Sequence, residues 1–94
     1  MSTKLSILLV EDEENLHEAL KLNLELEGYE VTSAYDGNTA LQKTQTEYFD
    51  LVVLDIMLRE IDGIHVTETI RIQNNEVPIL ILSAKNTSAD RVQG

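Results

Sequence analysis

The chain has 94 residues, 43% of them hydrophobic, and its 17 acidic and 7 basic residues give a formal net charge of −10. This size fits one small domain, and the hydrophobic fraction is typical of a folded globular chain. Scattered basic residues argue against nucleic-acid binding, and no apolar stretch is long enough to span a membrane. The absence of cysteine excludes disulfides and thiolate metal sites. We expect a cytoplasmic location, because the N-terminus lacks a signal-peptide pattern.

Short apolar runs alternate with helical patterns along the chain. Strands are predicted at Leu5–Val10, Glu30–Tyr35, Leu51–Leu54 and Ile79–Leu82, and helices at Glu13–Glu27, around Ala40–Thr44, at Ile64–Gln73 and from Ala89 onward. The first and third strands contain almost only Val, Ile and Leu, which is typical of strands buried on both faces of a parallel sheet. Ser and Thr in the second strand indicate an edge position. The alternation predicts a three-layer α/β fold with right-handed crossovers.

The first predicted helix has one apolar and one acidic face. Leu16, Leu20 and Leu24 recur at four-residue steps, which predicts a stripe facing the core. The solvated face is expected to hold Glu13, Glu14, Glu18, Glu25 and Glu27. His17 on this helix and His65 on the third helix are expected at the surface, outside any metal or phosphate site.

Acidic residues follow two of the buried runs. Glu11 and Asp12 come directly after the first strand, and Asp55 closes the third. Ligands of open α/β sheets bind beyond the carboxyl ends of the strands. If the strand order is 2-1-3-4, the flavodoxin-like pattern, strands 1 and 3 are neighbours and the three carboxylates converge. Like charges at that distance repel unless a cation lies between them, which favours a bound Mg²⁺.

Ser83 follows the fourth strand and is expected to face the same crevice. Its hydroxyl can donate to an incoming phosphoryl oxygen, and the small Ala84 beside it leaves access to Asp55. A carboxylate nucleophile, a metal ion and a hydroxyl donor together indicate phosphoryl transfer onto Asp55, forming an acyl phosphate.

The chain resembles the receiver domain of two-component response regulators over essentially its whole length. The resemblance lies in three motifs: ILLVEDE at residues 7–13, LVVLDIML at residues 51–58 followed by Asp62-Gly63, and ILILSAK at residues 79–85. Spacing and residue type agree at all three.

The resemblance implies a role for each residue of the motifs. Asp55 would be the phosphoacceptor. Mg²⁺ would be bound by Asp12, by Asp55 and by the backbone carbonyl of Met57, while Glu11 would act through a water molecule. Ser83 would be the hydroxyl that switches toward the phosphate. A sensor histidine kinase would be the partner, and the chain would be an acceptor and not an enzyme.

Two features depart from the family pattern. Arg59 stands where family members usually carry proline. Receiver domains also continue into a fifth strand ending in a lysine and a fifth helix, and Lys85 does not match that lysine's position. We therefore expect residues 1–94 to be an incomplete receiver domain, its first four βα units, with impaired switching. The edge of strand 4 is expected to pair with a second copy.

Two other functions stay open at this point. The chain could be an inactive structural fragment or interaction module that keeps the same fold. A small metal-dependent phosphatase would also use an aspartyl nucleophile after a strand. Such enzymes place a second Asp two residues later, where this chain has Met57, which argues against that function.

Overall fold

A computed structural model describes residues 4–55, 63–73 and 76–82, with only the backbone of residues 55, 63 and 64. Its elements are β1 (Ser6–Val10), α1 (Glu14–Leu26), β2 (Glu30–Ala34), α2 (Gly37–Thr46), β3 (Leu51–Asp55), α3 (Gly63–Ile72) and β4 (Ile79–Leu82). The four predicted strands and the first three predicted helices are present, with ends shifted by up to a few residues. The helix predicted from Ala89 onward lies outside the described residues.

The four strands form one parallel sheet in the order β2-β1-β3-β4. Val10 of β1 pairs with Ala34 of β2 on one side and with Leu54 of β3 on the other. The central β1 and β3 are therefore the strands with continuous apolar runs, and β2 lies at an edge. The predicted fold class and strand order are confirmed.

Helices cover both faces of the sheet because successive strand residues point to opposite sides. On one face, Leu8, Val10, Val52 and Leu54 pack with Ala40 of α2 and with Val66 and Ile70 of α3. On the other face, Ile7, Leu9 and Val53 pack with Leu20 and Leu24 of α1. Two apolar cores with the sheet between them make the three layers that the sequence predicts.

Side chains and one glycine fix the helix ends. Glu13 caps α1 by accepting a hydrogen bond from the Leu16 N–H, and Asp36 caps α2 by accepting one from the Thr39 N–H. Gly28 follows α1 with φ +99°, a left-handed conformation that glycine adopts without strain. Among the described residues, no helix combines the length and apolar character needed to cross a membrane.

The double burial of β1 gives a direct test of the core. Leu8 is fully buried, so Leu8→Ala should lower the free energy of unfolding by about 2–5 kcal/mol through lost contacts and a residual cavity. Leu26→Ala is the matched control, because Leu26 is 75% exposed and its loss should change stability by less than about 0.5 kcal/mol. Urea unfolding measures both. Equal effects of the two substitutions would contradict the packing.

Candidate functional site

The carboxyl ends of β1 and β3 lie side by side at one edge of the sheet. The last paired residues are Val10 of β1 and Leu54 of β3, and β3 continues to Asp55, which pairs with Leu82 of β4. The strands are parallel, so the residues that follow Val10 come to the same edge as Asp55. The backbone therefore brings Glu11, Asp12 and Asp55 to one edge of two neighbouring strands.

Glu11 is a buried acid at this edge. Only 2% of its surface is exposed. Its main-chain N–H donates to the Ala34 carbonyl at 3.1 Å, which extends the pairing of β1 with β2 by one residue. Its carboxylate Oε2 accepts a hydrogen bond from the Glu13 N–H at 2.9 Å. This bond offsets part of the cost of burying a carboxylate and fixes the side chain relative to the loop.

The loop Glu11–Glu13, which we call the acidic loop, places negative charge at the start of α1. Glu13 Oε1 accepts a hydrogen bond from the Leu16 N–H at 2.6 Å, and the half-buried Asp12 lies between the two glutamates. The N-terminus of a helix carries a partial positive charge that favours acids. Two of the three carboxylates thus bind backbone N–H groups close to Asp12.

The donors at this edge are chemically suited to a hard divalent cation, because carboxylate oxygens are the ligands that Mg²⁺ prefers. Among the side chains that the structure describes, no group of three His, Cys, Asp or Glu residues is arranged to hold a metal ion. The predicted ligand set also needs the Asp55 carboxylate and Met57, and these lie outside the described atoms. Ser83 and Ala84 lie outside the described residues, as do Arg59 and Lys85.

The expectation that His17 is a surface residue is wrong. His17 is fully buried, with Nδ1 2.8 Å from the Glu11 carbonyl oxygen and Nε2 2.8 Å from Ser33 Oγ. Its position, three and seven residues before Leu20 and Leu24, is in phase with the inward face of α1. That spacing was the signal in the sequence. His65 is exposed, as expected.

Tyr35 covers the buried histidine. Its ring stacks on His17 with centroids 4.0 Å apart and planes 16° from parallel, and its hydroxyl donates to Glu18 Oε2 at 3.1 Å. Desolvation raises the pKa of Tyr35 above its usual value, and the hydrogen bond to the Glu18 carboxylate raises it further. The residues Glu11, His17, Ser33, Tyr35 and Glu18 form one connected set beside the acidic loop.

Comparison with known protein families gives a match to the response regulator receiver domain over residues 7–94. The alkaline phosphatase synthesis transcriptional regulatory protein PhoP of Bacillus subtilis is 49% identical over 88 residues, 94% of this chain and 37% of PhoP. The response regulator ArlR of Staphylococcus aureus is 44% identical over 88 residues, which are 94% of this chain and 40% of ArlR. The chain therefore spans well under half the length of these curated relatives.

Solved receiver structures share the fold. The receiver domain of a sensor histidine kinase from Pseudomonas aeruginosa, with magnesium coordinated in its active-site cleft, superposes with a TM-score of 0.86 at 34% identity over 96% of this chain and 75% of that chain. The response regulator TrrA of Thermotoga maritima, in complex with magnesium and beryllium fluoride, gives a TM-score of 0.81 at 41% identity over 85% of this chain and 70% of that chain.

These matches correct the expectation that the chain is not an enzyme. Members of the matched family are phosphoacceptors, and a weak phosphotransfer activity is implied for them. A phosphoacceptor carboxylate itself forms a bond to phosphorus, so being an acceptor does not exclude a phosphotransfer activity.

The contact between Tyr35 and Glu18 can be tested by titration. Glu18→Gln removes the negative charge beside the phenol, so the pKa of Tyr35 should fall toward 10.0. NMR of tyrosine rings during a pH titration measures this change. Tyr48 is the internal control, because its raised pKa is caused chiefly by its hydrogen bond to Asp50 and should not move. Parallel shifts of both tyrosines, or none, would contradict the contact.

Proposed function

The chain belongs to the response regulator receiver domains of two-component systems, and we propose that it accepts a phosphoryl group on Asp55 in a Mg²⁺-dependent reaction. The observation that carries this proposal is the pairing of β1 with β3. It brings the backbone of Glu11 and Asp12 to the same sheet edge as Asp55. The carboxyl ends of neighbouring parallel strands are where α/β sheets bind ligands, which supports a site at this edge.

The proposed reaction is a direct displacement at phosphorus. A carboxylate oxygen of Asp55 forms a bond to phosphorus while the bond between phosphorus and the donor breaks, and the donor keeps that electron pair. The product is an acyl phosphate on Asp55. The hydroxyl of Ser83 would donate a hydrogen bond to a phosphoryl oxygen, and the small Ala84 would leave room for the group to reach Asp55.

Magnesium would be held by oxygen atoms alone. Asp12 and Asp55 would bind it directly together with the backbone carbonyl of Met57, and Glu11 would act through a water molecule. Bound at this edge, the ion supplies positive charge that offsets the carboxylates and the phosphoryl oxygens. The burial of Glu11 and its hydrogen bond to the Glu13 N–H agree with an indirect role, since one of its oxygens already has a backbone partner.

Response regulators act with sensor histidine kinases, so a sensor histidine kinase is the proposed phosphodonor. The surplus of acids, with a net charge of −10, supports the further prediction that this chain does not itself bind nucleic acid. A cytoplasmic location belongs to the same proposal, as does the assignment of residues 1–94 to four βα units of a receiver domain.

Chemical phosphorylation tests the acceptor. Incubation with acetyl phosphate and Mg²⁺ should add the mass of one phosphoryl group to the intact chain, and Asp55→Asn should abolish this addition because an amide is not a nucleophile here. Asp36→Asn is the matched control: Asp36 follows β2 at the same edge of the sheet, and Asn caps a helix as well as Asp does. Intact-mass spectrometry measures all three proteins.

The same labelling experiment, together with an assay of phosphoester hydrolysis, separates the other functions. A folded chain that takes up no phosphoryl group would favour an inactive structural fragment or interaction module. Equal labelling of the wild type and the Asp55→Asn variant would place the acceptor elsewhere. Sustained phosphate release from an unrelated phosphoester would favour a phosphatase.

Self-association through β4 is the second part of the proposal. Leu80 and Ile81 of β4 are 52% and 42% exposed, and among the described strands β4 pairs only with β3. An exposed apolar strand edge can pair with another chain, most simply in a twofold dimer. Light scattering at micromolar concentration should therefore give twice the monomer mass, and Leu80→Lys should shift the mass toward the monomer. A monomeric wild type would contradict this prediction.

A further inference from the structure

His17 is a buried polar side chain that the proposed phosphotransfer does not use. Its ring lies between three groups from other parts of the chain: the Glu11 carbonyl, the Ser33 hydroxyl and the Tyr35 ring. Both ring nitrogens are 2.8 Å from an oxygen, so the side chain makes the two hydrogen bonds that burial requires. A polar group held this completely has one defined orientation.

The hydrogen-bond partners of His17 indicate which of its ring nitrogens carries the proton. A carbonyl oxygen only accepts, so Nδ1–H donates to the Glu11 carbonyl. In the neutral ring Nε2 then accepts, and the Ser33 hydroxyl donates to it. His17 therefore links the end of β1 to Ser33 of β2, with the main chain of Glu11 as the group that it holds.

His17 contacts the acidic loop on both sides of Asp12. Its ring binds the carbonyl of Glu11, the residue before Asp12, and its main-chain N–H donates to the carbonyl of Glu13, the residue after it, at 2.8 Å. The Glu13 N–H in turn donates to the Glu11 carboxylate. The backbone on either side of Asp12 is thus fixed by one residue of α1.

We propose that His17 is a positioning residue for metal binding, which holds the acidic loop so that the carboxylates of Glu11 and Asp12 are oriented before the ion arrives. This inference rests on the proposed function. The acids of a site repel one another without a cation, and an anchored backbone keeps them from moving apart. Groups that hold metal ligands in place typically contribute 10–100-fold to metal affinity.

Two substitutions of His17 separate its two hydrogen bonds. The amide nitrogen of Asn is as many bonds from the main chain as Nδ1, so His17→Asn keeps a donor toward the Glu11 carbonyl and loses the Ser33 bond. The amide of Gln reaches as far as Nε2, so His17→Gln keeps the Ser33 bond and loses the Glu11 bond. Both remove the stacking on Tyr35. Ser33→Ala removes the Ser33 bond and leaves the ring in place.

The expected results differ between the variants. In Mg²⁺ titrations by calorimetry, His17→Gln should weaken binding about 10-fold, whereas His17→Asn and Ser33→Ala should stay within about 3-fold of the wild type. In metal-free protein, NMR should show faster hydrogen exchange of the Glu13 N–H in His17→Gln than in the other two variants. Urea unfolding reports the global stability of each variant.

Each outcome decides the assignment. Equal magnesium affinity in His17→Asn and His17→Gln would overturn the positioning role of His17. Faster amide hydrogen exchange spread evenly over the chain, with unchanged magnesium affinity, would also overturn it, because that result marks a merely structural role. A wild type that binds no Mg²⁺ would overturn the proposed metal site and the magnesium part of this inference. The exchange of the Glu13 N–H would then still decide whether His17 holds the loop.

Discussion

The parallel pairing of β1 with β3 is the constraint on which the rest of this structure depends. Both strands are buried on both faces, so their side chains fill two cores at once. A slip of one residue would exchange the side chains between the two faces and would move the acids after Val10 relative to Asp55. The packing that stabilises the sheet therefore also sets the register of the proposed site.

Much of this architecture is predictable because it depends on local pattern. The continuous apolar runs of β1 and β3 identify buried parallel strands, and the Ser and Thr content of β2 identifies an edge. The spacing of Leu20 and Leu24 identifies the inner face of α1. The order of the strands cannot be predicted in this way, because no local sequence pattern indicates which strands are neighbours. From the sequence, the order 2-1-3-4 is a supposition based on the flavodoxin-like pattern, and the structure confirms it.

The buried set around His17 could not be predicted because its members meet only in the folded chain. A lone histidine on an acidic helix is ordinarily a surface residue, so the spacing of His17 from Leu20 and Leu24 indicates burial but does not identify its partners. Its partners Ser33 and Tyr35 lie on or just after β2, so the contacts require both the β1–β2 pairing and the docking of α1. Hydrogen-bond partners this far apart in the sequence leave no local pattern from which their contacts with His17 could be predicted.

The energetics of the acidic loop connect the fold to the proposed chemistry. The N-terminus of α1 favours each nearby negative charge by only about 0.3–1 kcal/mol. An ionised carboxylate loses several kcal/mol of hydration on burial, and Glu11 is almost completely buried. The hydrogen bond from the Glu13 N–H to the Glu11 carboxylate offsets about 1.5–3 kcal/mol of this loss. A cation at this edge would therefore stabilise the folded chain in addition to its proposed role in phosphoryl transfer, and the proposed anchoring of the loop by His17 would hold the acids in place for that ion.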